Sequence, residues 1–382
     1  RGEPVTEVVR AEELTLSWED FVRARENVAP HVYHTPLLTS RSLSEATGFD
    51  VRLKAEVFQK GGAYKVRGPM NKIALLSEEE RARGVICSSA GNHSQGVALA
   101  AAHYGVRAVV VMAENATPSK IAATEGYGAT VILHGSIWDE ANEKALELVA
   151  KEGLIYIHPF DDPDLIAGQG TVALEILEDF PEVELVVVPI GGGGLISGVS
   201  MALKSKRPDV RVVGVESSGA PAMKRSVEAG HCVTLDEVDC VIDGLRVKRV
   251  GEHTRSVVSR FVDEIVTLPD ADIFDAVLWL MTRAKLVAEG AAAAPVGALL
   301  HGLIDAPPGT KVVSILSGGN LDVEQLRGLS WNGPKMCIVA PRPHSNGSFA
   351  FETGWPLRWG WSSVRGSSAH PDSSRAISAT RG

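Results

Sequence analysis

The chain has 382 residues, of which 45% are hydrophobic and 22% charged, a composition that supports one or two globular domains with a sizeable core. Its net charge of −9 argues against a general nucleic-acid binder, and its longest apolar candidate for a membrane span, 288–304, is broken by Glu289, Pro295 and His301. Four cysteines (Cys87, Cys232, Cys240 and Cys337) without metal-ligand spacing are too few for a disulfide scaffold, and an acidic N-terminal stretch replaces the basic and apolar run of a secretory leader, so a cytoplasmic protein is expected.

Short β-branched runs recur along the chain at 51–57, 84–88, 107–112, 129–133, 154–158, 185–189, 211–216, 265–269 and 311–317. Helical patterns lie between most of them, including 93–104, 118–127, 137–150 and 271–287. Strands alternating with helices of this length predict an α/β fold of parallel sheets with helices on both faces. The continuous apolar runs ELVVVPI and KVVSIL suit central strands buried on both sides. From 331 to 382 the pattern changes: four of the seven tryptophans (Trp331, Trp355, Trp359 and Trp361) fall there, six basic residues face two acidic ones, and no period is sustained. This stretch reads as an irregular extension, disordered or non-native, and the chain opens without Met, so both ends read as incomplete.

Four segments near predicted strand ends carry the chemistry, because ligands collect at strand ends in open α/β sheets. The first, FQKGGAYKVRG at 58–68, sets Lys65 just past a Gly-Gly turn; an amine partly withdrawn from water there loses proton affinity and becomes a nucleophile toward carbonyls. Arg67 is assigned a structural role. The second, SSAGNHSQG at 88–96, offers small residues and helix N-terminal N–H groups to a carboxylate, with the amide of Asn92 beside them. An N-capped helix without a ligand is the plainer reading of that segment, and His93 on its own is more often structural.

The third segment, PIGGGGLISG at 189–198, places Gly191, Gly192, Gly193 and Gly194 between a buried strand and a helix, a nest for a monophosphate. No Lys-Ser/Thr follows, so it is not a Walker loop; Glu216 lies at the distance a dinucleotide site asks, but the glycines run consecutively rather than as GxGxxG. The fourth, SGGN at 317–320, ends a buried strand with a hydroxyl, Ser317, that suits a ring nitrogen; alone it is an ordinary turn.

Taken in order, AYKVRG, SSAGNHSQG, PIGGGGLISG and SGGN resemble the signature set of the fold-type II pyridoxal-phosphate enzymes, and within them the threonine (serine) dehydratase and serine racemase group. The resemblance runs from about 14 to 329 and takes in HTPLLTS at 34–40. It implies two open parallel-sheet domains of the tryptophan synthase β type: a small mobile one at 58–158 and a large cofactor-binding one from 1–57 plus 159–330. It implies pyridoxal 5'-phosphate held on Lys65 as a Schiff base, with Asn92 on the ring hydroxyl, Gly191 to Gly194 on the phosphate and Ser317 facing the pyridine nitrogen. Ser89, Ala90, Gly91, Asn92 and His93 are implied for the substrate carboxylate, and Glu289 for a place near the ring.

The resemblance further implies β-elimination from L-threonine to 2-oxobutyrate and ammonia, and from L-serine to pyruvate. The chain departs from the family's Ser-Phe-Lys at Ala63 and Tyr64, and Ala90 stands where the racemases carry a second serine, so dehydration is expected over racemisation. A divalent cation, Mg or Ca, is implied at Glu216 and Ala220, although Ala222 replaces the second acidic ligand. The absence of a long C-terminal effector domain suggests a catabolic type, and relatives of this kind are homodimers or homotetramers. Other readings remain: a serine racemase or 3-hydroxyaspartate dehydratase of the same fold, a nucleotide-binding oxidoreductase, or an inert scaffold acting through its Trp-rich tail.

Overall fold

In a computed structural model, which describes residues 14–327, the apolar runs form ten strands in two separate sheets. These are β1 (Leu37–Thr39), β2 (Asp50–Ala55), β3 (Val85–Ser88), β4 (Ala108–Met112), β5 (Thr130–Leu133), β6 (Ile155–Tyr156), β7 (Leu185–Pro189), β8 (Arg211–Ser217), β9 (Glu264–Leu268) and β10 (Lys311–Leu316). The six-stranded sheet runs β1-β2-β10-β7-β8-β9, and the four-stranded sheet runs β5-β4-β3-β6. All pairings are parallel except β1 with β2. The expected α/β class with helices against parallel sheets is therefore present. The 52 residues read as an irregular extension, 331–382, lie outside the described residues.

Burial explains which runs became central. Every residue of β4 and β7 is buried, as is every residue of β10 after Lys311, whereas the edge strand β5 is only half covered. Local signals set the helix starts. Ser17 and Ser77 form capping boxes with Asp20 and Glu80, and Asp162 caps Pro163–Asp179, whose first residue supplies a fixed φ and needs no N–H partner.

Two expectations needed correction. The strand β1 was not anticipated: its three residues are too few and too exposed to show a period, and it exists by pairing Leu37 to Thr39 against Lys54 to Arg52. The helix expected over 271–287 stops early. It holds as Asp270–Trp279, widens into a five-residue turn at Leu280–Ala284, and ends where Lys285 takes the left-handed conformation at φ 60°. That break frees the chain to bring Glu289 back across the sheet ends, where its N–H donates to the carbonyl of Gly318 at 3.0 Å.

A buried ionic cluster joins the first segment to the six-stranded sheet. Arg67, fully buried, grips Glu56 with Nε at 2.8 Å and Nη2 at 2.8 Å, and grips Glu175 with Nη1 at 2.7 Å and Nη2 at 2.9 Å. Lys54 adds its ammonium to Glu175 at 2.6 Å and to the carbonyl of Thr35 at 2.6 Å. Burial alone favours the neutral form of Arg67, but Glu56 and Glu175 overrule it and raise its pKa. The structural role expected for Arg67 matches this placement.

Candidate active site

Lys65 owes its position to two glycines. Gly61 and Gly62 both take φ 73°, turning the chain so that Ala63 runs extended and bridges Gly318 before a short turn, Tyr64–Val66, leads into the helix Arg67–Leu75. The ammonium of Lys65 donates to the carbonyl of Pro159 at 2.8 Å. Burial pulls its pKa down to about 8, with Glu289 partly opposing. A substantial neutral fraction near neutral pH makes this amine a competent nucleophile. The helix Asn92–His103 packs directly on its backbone: a Cβ on Gly96 would stand 2.7 Å from the carbonyl oxygen of Lys65.

Two clusters of backbone donors flank this amine. At the start of Asn92–His103, the N–H groups of Ala90, Asn92, His93 and Ser94 meet no protein acceptor among the described residues, while Ser89 N–H pairs with Val111 O at 3.2 Å and Gly91 N–H with Ser89 Oγ at 3.2 Å. After β7, the N–H groups from Gly191 to Ile196 are equally without acceptors; the first donor satisfied is Ser197, to Gly193 O at 2.9 Å. Gly193 takes φ 94°, and side chains on Gly192 and Gly194 would run into Phe160. Each cluster is a nest for anionic oxygen.

Between them lies a polar chain. The amide nitrogen of Asn92 reaches both oxygens of Glu289, at 2.8 and 3.0 Å, and its oxygen accepts from Asn320 Nδ2 at 2.8 Å. Burial raises the pKa of Glu289, against the donation from Asn92 and the charge of Lys65. Ser317 is buried next to this group; its carbonyl accepts from Tyr64 N–H at 3.0 Å, and its hydroxyl meets no partner among the described residues. Lys65, Asn92, Glu289 and Ser317, far apart in sequence, thus come together.

His93 is turned away. Its Nε2 lies 3.0 Å from the carbonyl of Ile157, Nδ1 has no partner, and burial with Lys65 nearby drives its pKa down to about 3, so the ring stays neutral and only its N–H faces the nest. Glu216 is also engaged elsewhere. Its two oxygens accept from Met223 N–H at 2.8 Å and Lys224 N–H at 2.9 Å, capping the helix Ala222–Ala229, and the carbonyl of Ala220 accepts from Ala222 N–H at 2.9 Å. Among the described residues no group of three or more His, Cys, Asp or Glu is arranged to hold a metal ion.

Burial pushes the Glu216 carboxyl up to about 7 from its usual 4.5. A group whose pKa rises on folding stabilises most below its unfolded value, so this contribution is lost as pH climbs from 4.5 to about 7. Relative to the parent, a Glu216→Gln variant is expected to gain about 3 kcal/mol across that window. Urea unfolding at several pH values checks this; parallel pH profiles for the two proteins would contradict it.

Some participants carry no motif of their own. The segment after β6 supplies Pro159 to Lys65 and Phe160 to the glycines, while Asp161 accepts from Thr254 N–H at 3.0 Å and Thr254 Oγ1 donates to Gly192 O at 2.8 Å. The sequence signal was present: Pro159 directly follows the predicted strand 154–158, and the four chosen segments likewise lie at predicted strand ends. Trp138 donates its indole N–H to Ser88 O at 3.0 Å, just before the N–H groups at Ala90 to Ser94; nothing in sequence spacing pointed to it.

A family model described as pyridoxal-phosphate dependent enzyme matches residues 28–318. The L-threonine ammonia-lyase of Thermotoga maritima is 48% identical over 336 residues, covering 86% of this chain and 83% of its own. The catabolic L-threonine dehydratase TdcB of Escherichia coli K12 is 41% identical over 315 residues, covering 82% of this chain and 96% of its own. Among solved structures, maize serine racemase superposes with a TM-score of 0.79 at 35% identity, covering 82% of this chain and 96% of its own.

Proposed function

This chain belongs to the pyridoxal-phosphate dependent enzymes, and we propose that it is a threonine (serine) ammonia-lyase, converting L-threonine to 2-oxobutyrate and ammonia and L-serine to pyruvate and ammonia. The observation that carries this reading is a desolvated amine standing between two nests of unpartnered N–H groups. The site fits the cofactor: an amine to hold it, a glycine nest for a phosphate, and a free hydroxyl at Ser317 for a ring nitrogen.

When bound, pyridoxal phosphate supplies an electron sink that makes the substrate's Cα proton removable. The chain supplies the rest. The N–H groups of Ala90, Asn92, His93 and Ser94 hold the substrate carboxylate, with Ser89 and Gly91 shaping the turn. Gly191, Gly192, Gly193 and Gly194 hold the phosphate. Lys65, released as a neutral amine, takes the Cα proton at Nζ. Asn92, whose amide nitrogen rests on Glu289, and Ser317, through its hydroxyl, would hold the cofactor ring. The β-hydroxyl leaves as water with the proton that Lys65 Nζ took from Cα, and hydrolysis of the resulting enamine yields the oxo acid and ammonia.

Racemisation of serine is the second reading, favoured by the likeness to maize serine racemase. It requires a proton donor on the face opposite Lys65, which the family resemblance assigns to position 90, and Ala90 carries no transferable proton. The stretch 58–158 serves as the small mobile domain, in keeping with β3, β4, β5 and β6 all falling inside it, against 1–57 plus 159–330. Closure excludes water from the amine. Assembly as a homodimer or homotetramer is supported by exposed apolar side chains such as Phe58, Val287 and Val323. A cytoplasmic location is supported by three cysteines, Cys87, Cys232 and Cys240, that are free and buried, and no helix among the described residues is long and apolar enough to cross a membrane.

The test is direct. Purified protein given pyridoxal phosphate is expected to turn yellow and to release 2-oxobutyrate from L-threonine. Because only the neutral amine condenses, the rate of colour formation by cofactor-free protein should rise with pH and level off above about 8. A pH-independent rate, or no oxo acid from either hydroxy amino acid, counts against the reading.

A further inference from the structure

One ion pair links the surroundings of the two nests. The ammonium of Lys120, in the first turn of Pro118–Gly126, lies 2.5 Å from Oδ2 of Asp243. Lys120 is tied to the carboxylate nest: its carbonyl accepts from Thr124 Oγ1 at 3.0 Å, that oxygen is 3.4 Å from Ser94 Oγ, and Ser94 Oγ donates to Gly91 O at 2.6 Å. Asp243 belongs to the opposite wall. The next residue, Gly244, presses its carbonyl so close to Gly191 that no Cβ would fit there.

Both charges also bear on the buried carboxyl of Glu289, with opposite sign: Asp243 helps it keep its proton and Lys120 helps it lose it. The pair therefore joins the element that packs on the nest at Ala90 to Ser94 to the segment that packs on Gly191. The two side chains are 30% and 59% exposed, and a pair so wet adds little to stability. What it controls is the charge a side chain meets on entering.

Resting on the dehydratase reading of the site, we propose that a substrate whose carboxylate rests on Ala90 to Ser94 and whose Cα faces Lys65 turns its side chain toward this pair, and that Lys120 and Asp243 form a charge filter for it. Paired, they present no net charge and admit β-hydroxy amino acids with an uncharged side chain. Asp243 withholds Lys120 from the second carboxylate of an anionic substrate such as 3-hydroxyaspartate, and adds its own repulsion.

The experiment compares wild-type holoenzyme with Asp243→Asn, Asp243→Ser and the double variant Lys120→Gln/Asp243→Asn. Kinetics on L-threonine and 3-hydroxyaspartate give the ratio of kcat/KM values. Spectral titration with α-methylserine and α-methylaspartate, which lack a Cα hydrogen, gives binding without turnover. Freeing Lys120 is expected to shift both the kinetic and the binding preference toward the anionic member by about tenfold, an effect that fades with added salt. The double variant is expected to lose the gain. An unchanged preference in both single variants overturns the filter, as does a gain that survives removal of Lys120. The binding arm reads the filter by itself; absence of threonine turnover in the wild type counts against the dehydratase reading instead.

Discussion

Replacement of Lys65 by alanine is expected to remove the activity, lowering kcat on L-threonine by at least about 10⁴-fold. On the proposed reading two functions end together, the covalent hold on the cofactor and the base at Cα. The fold has little reason to suffer, because Lys65 makes a single hydrogen bond, to Pro159, and its charged form is already disfavoured by burial. A melting temperature close to the parent's, with no yellow colour and no borohydride-reducible linkage, is the expected combination. Trapping of a label on any other lysine, or a kcat within tenfold of the parent, would contradict the assignment.

The second large effect concerns stability. Arg67→Ala is expected to cost about 3–5 kcal/mol, because it leaves two buried carboxylates, Glu56 and Glu175, facing one another without the guanidinium that bridges them. Lys54 remains on Glu175 but makes no ion pair with Glu56 among the described residues. In the parent, burial pushes Glu175 up while Arg67 and Lys54 bring it below its ordinary value. Once Arg67 is gone, burial dominates, so the deficit should shrink as pH falls and the carboxylates take protons. Urea unfolding at neutral and mildly acidic pH measures both parts. A deficit under about 1 kcal/mol would mean the cluster is no more than a surface-type pair. Apolar replacement of Arg67, Glu56 and Glu175 together should recover much of the loss.

The central strands were legible because burial on both faces leaves a continuous apolar run, as in β7 and β10, and all nine runs singled out became strands. The edge strand β1 was not, since its three residues carry no period and its pairing partner lies elsewhere in the chain. Lys285 shows why the helix before it was overdrawn: nothing in its side chain announces a left-handed backbone, which is imposed by the turn that returns the chain to Glu289. At the site, the segments around Lys65, Asn92, Gly191 and Ser317 were visible because glycines and small polar residues at strand ends have a local cause. The pairs that connect them were not. Asn92 with Glu289, Asn320 with Asn92 and Pro159 with Lys65 join residues about one hundred or more positions apart, and spacing carries no trace of such meetings. Glu216 adds a contact that spacing did not show: its carboxylate, which the family resemblance implied for a cation, accepts two N–H groups at the helix start of Ala222–Ala229.

The contact between Gly96 and the Lys65 carbonyl has a mechanical corollary. With no side chain to separate them, the helix Asn92–His103 and the turn bearing the amine lie backbone against backbone. Even a single added methyl at position 96 would act as a wedge, resetting the reach of the amine by tenths of an ångström from a place that never touches the reactants.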